Sequence, residues 1–170
     1  GYIALRAIER HPERFRGLIL CDTRSEADNN EGKIRRAEQM KAVKHGSMRT
    51  FADNYLAMVF YKKTFAANPE AVELIRRTIE SADPIAAAGT FLALAARTDT
   101  TAALYTIAVP TLILVGQHDA LTPPSAAYAM KEKIPRSTLH VIPHAAHLST
   151  LENPEDATRH MLGYLKAMTA

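Results

Sequence analysis

Apolar residues recur at helical spacing from the start of the chain, where Ile3, Ala4, Ala7 and Ile8 share a face over residues 2–11 and Pro12 with Gly17 marks the exit. The run Gly17-Leu18-Ile19-Leu20-Cys21 is continuously apolar, which predicts a short strand covered on both faces in a parallel sheet. A polar loop follows over 22–32. Residues 31–44 return to helical spacing but are heavily charged. Ile34, Ala37, Met40 and Val43 leave only a narrow apolar stripe, and Gly46 stands where a C-terminal cap belongs. A second helix is predicted over 48–61. Asn68-Pro69-Glu70 starts a third and Asp83-Pro84 a fourth that runs through Ala96, because Asn or Asp accepts the first free N–H groups and proline at the first helical position loses nothing there.

After Asp99 the pattern becomes alternating strand and helix: strand 110–116, helix 123–134, strand 137–142, helix 154–168, the last opened by Asn153-Pro154-Glu155. The chain thus divides in two. Residues 1–30 and 106–170 predict an α/β core, the second half of a doubly wound parallel sheet with three strands, and residues 31–105 an all-helical insertion between two of those strands. Met58, Phe60, Tyr61, Phe65, Phe91 and Leu94 in the insertion either line an apolar pocket or pack its helices together.

Composition narrows the function. The 170 residues, 47% hydrophobic and 23% charged, suffice for one domain with a sizeable core and not for two. The formal charge of +3 is spread along the chain, not gathered into a basic stripe, so no nucleic-acid partner is expected. Cys21 is the single cysteine, which excludes an internal disulfide and fits a reducing compartment. No apolar run of membrane-spanning length and no signal-peptide order occurs, so the expectation is a soluble, cytoplasmic chain without a membrane partner.

Two residues carry candidate chemistry. Asp119 closes the strand-like run 110–119 and His147 closes the run 138–147. A carboxylate past the end of one parallel strand and an imidazole past the end of the next can share a proton, the acid orienting a base that titrates near neutrality. Otherwise Asp119 only forms an Asx turn or caps the helix at Pro123, and His147 is a half-exposed loop histidine. A metal centre built from His140, His144, His147, His118 and Asp119 is not expected. Strand alternation places His140 apart, and Pro143 forbids the helical turn that would align ligands. No cofactor is expected either. Ser25, Ser47, Ser81, Ser125, Ser137 and Ser149 lack a strand-to-helix elbow, and Cys21 sits in an apolar run where a thiol behaves as a small hydrophobe.

The acid-then-base order, with Gly1-Tyr2-Ile3-Ala4-Leu5, 11–24 (His-Pro-Glu-Arg-Phe onward), Val109-Pro110-Thr111-Leu112, Gly116-Gln117-His118-Asp119 and His147-Leu148-Ser149-Thr150-Leu151-Glu152-Asn153-Pro154-Glu155, resembles the α/β-hydrolase superfamily, within it esterases similar to 3-oxoadipate enol-lactonases. The resemblance covers almost the whole chain. It implies a partial α/β-hydrolase fold, its C-terminal half, with 31–105 as the cap over the site. It also implies a Ser-His-Asp mechanism on small carboxylic esters or lactones, with Asp119 as acid and His147 as base. Met58, Phe60, Tyr61, Phe91, Leu121 and Leu148 become candidate substrate contacts. The sequence departs from the family in two ways: Pro143-His144-Ala145-Ala146 stands where Gly-Ala-Gly or Gly-Cys-Gly usually precedes the base, and no Gly-x-Ser-x-Gly occurs. Gly1 matches the second glycine after the serine. The chain alone is therefore expected to be inactive, with an ester or lactone as partner only when an N-terminal half completes it. The strand at 17–21, left as an edge, is expected to pair with its own copy in a homodimer or higher oligomer, the first helix at the interface. The alternative function is then a non-enzymatic half-fold that self-assembles.

Overall fold

The computed structural model describes residues 1–169. Its centre is a parallel sheet in the order β1 (Leu18–Cys21), β2 (Thr111–Gly116), β3 (Ser137–Ile142), registered Leu18 to Thr111 and Thr111 to Ser137. β2, flanked on both sides, is buried at every residue, as its unbroken apolar sequence requires. Successive side chains alternate between faces. Leu18, Leu20, Ile113 and Val115 meet Leu5 and Ile8 of α1 (Tyr2–Arg10) and Ala127 and Met130 of α7 (Pro124–Lys133) on one face. Ile19, Cys21, Leu112 and Leu114 meet Ala157, Met161 and Tyr164 of α9 (Pro154–Thr169) on the other. Each fully buried aliphatic side chain contributes about 1.5–3 kcal/mol, so the three-layer sandwich fixes where the strand ends point. Of the first helix's apolar face, Leu5 and Ile8 are buried in this sandwich and only Ile3 stands out in solvent.

Between β1 and β2 the chain forms α2 (Asn30–His45), α3 (Met48–Val59), α4 (Thr64–Ala67), α5 (Pro69–Glu80) and α6 (Pro84–Ala95). Asn29, Ser47, Asn68 and Asp83 cap α2, α3, α5 and α6 by accepting from Gly32, Thr50, Ala71 and Ala86 N–H groups, each cap contributing about 1 kcal/mol. Gly46 does end α2, but in extended rather than left-handed backbone; what requires glycine is the carbonyl of Ala42, 2.4 Å from any added Cβ.

Both ends of this helical stretch are stitched to one place. Thr100 donates to the Ser25 carbonyl through N–H and hydroxyl, and the Ala27 N–H donates to Asp99. Beside them the carboxylate of Asp28, 1% exposed, accepts from Arg24 (2.6 Å), Arg36 of α2 (3.0 Å) and Arg97 (3.3 Å). Burial works to raise its pKa, and the three guanidiniums overcome that and hold the carboxyl below its ordinary value. Arg97 also lies over the Tyr2 ring of α1, 3.7 Å from its centroid. No helix among the described residues is long and apolar enough to cross a membrane.

Candidate active site

β2 and β3 are neighbours, so the turns that follow them emerge together. The β2 turn is held by Gln117 N–H donating to the Ile142 carbonyl and His118 N–H to that of Ala145. The turn after β3 crosses Gly116 so closely that a Cβ there would stand 1.9 Å from the Ala146 carbonyl oxygen. Within it His144 adopts a φ of 58°, the left-handed region. A first glycine of Gly-x-Gly-His would sit at this residue, and a side chain there costs about 1–2 kcal/mol.

These turns bring Asp119 and His147 together. Asp119 is 3% exposed and all its acceptor capacity is used. Oδ1 accepts from the N–H groups of Leu121 (2.8 Å) and Thr122 (2.9 Å). Oδ2 accepts from the Thr122 hydroxyl (2.7 Å) and lies 2.9 Å from Nδ1 of half-buried His147. Burial pushes the Asp119 pKa up, but the bonds from His147 and Thr122 and the nearby imidazole outweigh it, leaving the carboxyl below its usual range. A carboxylate that stays ionised facing Nδ1 draws the proton of neutral imidazole to that nitrogen and leaves Nε2 as the free base. Asp119 therefore makes the Asx turn as well as holding His147.

The helical stretch reaches this site directly. His147 N–H donates to the carbonyl of Val59, the last residue of α3, at 3.0 Å. Glu152 of α8 (Ser149–Glu152) accepts from Tyr61 N–H (2.7 Å), the Thr64 hydroxyl (2.6 Å) and Ala146 N–H (2.7 Å), joining the α3–α4 connection to the residue before the histidine. Phe60, Leu121 and Leu148 pack in one apolar cluster with Leu56 and Val59. Tyr61 stacks on His118 at 4.1 Å. Met58 is 41% exposed on α3, and Phe91 packs separately with Val43 and Ala88, its ring edge-on to Phe51. Phe65 is half-exposed against Phe60, and Leu94 joins the Phe91 cluster. Phe60, Leu121 and Leu148 thus share a cluster whose members flank Asp119 and His147, Tyr61 lies against the neighbouring His118, Met58 is exposed one residue before Val59, and Phe91 belongs to a separate cluster.

Away from the candidate pair, His140 stacks on His160 at 3.7 Å. Among the described residues no three His, Cys, Asp or Glu side chains are grouped to hold a metal ion. A groove of about 400 Å³ between β3 and α9 is lined by residues that include His140 and His160 but neither Asp119 nor His147. The thiol of Cys21 is pushed up to about 11, by burial and then by the charge of Asp22, which keeps it protonated at neutral pH. Thr122, Glu152, Asp22 and Ser149 bond to or beside the candidate pair; the sequence reading weighed Ser149 only as a nucleophile, met Glu152 only inside the stretch 147–155, and gave Thr122 and Asp22 no role. Their signals in the sequence are positional: Thr122 three residues past the acid, Ser149 two and Glu152 five past the base.

The sequence matches the family model described as alpha/beta hydrolase fold over residues 1–154. It is 25% identical over 166 residues to the pimeloyl-[acyl-carrier protein] methyl ester esterase of Nitrosomonas europaea, covering 91% of this chain and 64% of that protein. A thermophilic esterase from Thermogutta terrifontis, solved with malate bound, superposes with a TM-score of 0.94 at 37% identity, covering 99% of this chain and 62% of that one. The enol-lactonase of Burkholderia xenovorans LB400 shares the fold, with a TM-score of 0.86 at 23% identity over 96% of this chain and 61% of that one. The chain spans less than two thirds of the length of each of these relatives.

Proposed function

The chain belongs to the α/β-hydrolase fold family, and on that premise we propose that Asp119 and His147 are the acid and base of a Ser-His-Asp hydrolase of small carboxylic esters or lactones. The observation that carries this reading is the 2.9 Å approach of His147 Nδ1 to a buried carboxylate with no acceptor capacity to spare. No Gly-x-Ser-x-Gly occurs within these residues, so the serine belongs to the part of the fold that this chain does not span. Nε2 of His147 takes the serine proton as the hydroxyl oxygen bonds the acyl carbon. Asp119 stabilises the resulting imidazolium, which gives the proton to the departing alkoxide, the ring oxygen in a lactone. Water then attacks the acyl carbon as His147 takes its proton, and the imidazolium returns that proton to the serine oxygen as the acyl–oxygen bond breaks and the acid leaves. The stretch 31–105 acts as a cap, with Phe60, Tyr61, Leu121 and Leu148 nearest the acyl group and Met58 and Phe91 further out.

The test joins this chain to the N-terminal part of a family esterase that carries the elbow serine. The hybrid should hydrolyse p-nitrophenyl acetate with a burst, and Asp119→Ala or His147→Ala should each reduce kcat by about 10³-fold or more. The 170-residue chain alone should show no burst. Hydrolysis by the hybrid that survives His147→Ala would sink the reading.

A second reading, a half-fold that self-assembles without turnover, is favoured by β1, which has a hydrogen-bonded neighbour only on its β2 side among the described residues. Leu18–Cys21 carries neither proline nor charge to deter pairing with a second copy. Light scattering at micromolar concentration separates the two: a dimer supports self-assembly, and a folded monomer with slow exchange at Leu18 to Leu20 removes it.

A further inference from the structure

The proton relay uses one carboxylate, yet a second is buried at the same edge of the sheet. Asp22 follows β1 with a φ of 46°, in the left-handed region that a residue bearing a Cβ enters at a cost of about 1–2 kcal/mol. Its own N–H continues the ladder by donating to the Leu114 carbonyl at 2.9 Å. Its side chain then spans the strand ends. Oδ1 accepts from Gly116 N–H at 2.9 Å, and Oδ2 accepts from Ser149 twice, N–H at 3.1 Å and hydroxyl at 2.6 Å. Gly116 is the residue from which the chain turns towards Asp119. Ser149, fully buried, lies two residues past His147. One carboxylate thus grips the roots of both arms of the dyad, at the point where Gly116 also receives the Ala146 carbonyl against its bare Cα.

We propose that Asp22 is a positioning residue for the dyad: by clamping Gly116 to Ser149 it sets the orientation of the His147 ring against Asp119, and so which imidazole nitrogen carries the proton. The inference rests on reading Asp119 and His147 as acid and base. As a device for stability alone a carboxyl is a poor choice here. Burial, opposed by the bonds from Ser149 and Gly116 and aided by the charge of Asp119, raises its pKa to about 6. What its anion supplies, and an amide cannot, is three acceptances and no donation. An asparagine would have to turn an N–H towards Gly116 or Ser149, both already donating, and one arm would shift.

Nitrogen-15 NMR of the imidazole rings in the 170-residue chain at pH 7.5 tests this, with His147→Gln identifying the resonances. Unsubstituted protein should show His147 as the Nδ1–H tautomer, and Asp119→Asn should abolish that preference. Asp22→Asn should move His147 to a mixture in which Nε2–H predominates, the ordinary preference of free imidazole. Ser149→Ala, which deletes one hydroxyl and keeps the backbone bond, should give a smaller shift in the same direction and serves as the test if Asp22→Asn does not fold. A merely structural Asp22 would lower the unfolding midpoint and leave the tautomer of the folded protein unchanged, and that result in folded Asp22→Asn or Ser149→Ala overturns the proposal. If the unsubstituted chain lacks the Nδ1–H form, or Asp119→Asn leaves it intact, the reading of the dyad fails and the inference falls with it.

Discussion

His147 donates its main-chain N–H to the carbonyl oxygen of Val59, 3.0 Å away and in another part of the fold. The histidine is therefore held from two directions, its ring by a turn of the sheet and its backbone by the end of α3. Whatever moves α3 moves the candidate base. Glu152 is the side chain that keeps this arrangement closed, since its two oxygens accept from Tyr61, Thr64 and Ala146.

Replacing Glu152 by alanine removes a charged acceptor from three donors. The expected loss is about 2 kcal/mol or more of unfolding free energy, because hydrogen bonds to ionised groups contribute more than neutral ones. Urea titration measures it. Amide exchange should quicken at Tyr61 and Ala146 while Leu112 to Leu114 in the sheet stay protected.

Thr122→Val preserves shape at a residue only 2% exposed and deletes the hydroxyl that donates to Asp119 at 2.7 Å. The cost should be about 1.5–3 kcal/mol. The freed oxygen of Asp119 still faces His147, so the ring should keep its Nδ1 proton. A variant as stable as the parent would show that the hydroxyl contact has no energetic weight.

The buried carboxyls of Asp22 and Asp119 give opposite pH dependence. Asp119 has a folded pKa below its unfolded value of about 3.9, so its contribution is present above pH 4 and is lost as pH falls through the folded value. Asp22 is raised to about 6. Its folded state binds the proton more tightly, and its contribution to stability falls as pH rises from about 4 to 6 and is flat beyond, by something on the order of 3 kcal/mol. Unfolding free energies at half-unit steps from pH 3 to 7.5 should show Asp119→Asn flattening the acid limb and Asp22→Asn removing the decline between 4 and 6.

Gly116→Ala places a Cβ 1.9 Å from the Ala146 carbonyl oxygen and 2.7 Å from that of Ala145. Neither obstacle is a flexible side-chain end. A loss of about 3 kcal/mol or more is expected, with the largest chemical-shift changes from Ala145 to Ser149. A mild effect confined to β2 would mean that the turn can retreat from the strand.

Much of this arrangement is legible in the residues. Asn68-Pro69, Asp83-Pro84 and Asn153-Pro154 announce helix starts because capping is a local matter, decided within three residues. The adjacency of Asp119 and His147 is what the family resemblance implies, since the two strands that carry them are neighbours in that sheet, and β2 does pair with β3. Thr122 bonds Asp119 only three residues away, so its part is local as well. Glu152 and Asp22 are different. Each is a single polar residue whose meaning depends on partners brought in by tertiary structure, Glu152 meeting Tyr61 across 91 positions and Asp22 meeting Ser149 across 127. No periodicity carries such information. α4 and α8, four residues each, are too short to show a helical repeat, and His144 stands where a glycine would have signalled left-handed backbone.

The convergence of Arg24, Arg36 and Arg97 on Asp28 has a consequence for chimeras between members of this family. A helical stretch lifted from one protein into another takes Arg36 and Arg97 with it, while their counter-ion stays behind on the strand-end loop of the host. A recipient without an acid at that position would face two cations with nothing between them, one of them, Arg97, only 8% exposed. A swap of this stretch should therefore give a well-folded chimera only when Asp28 is transplanted as well, which makes one loop residue the compatibility marker for some seventy others.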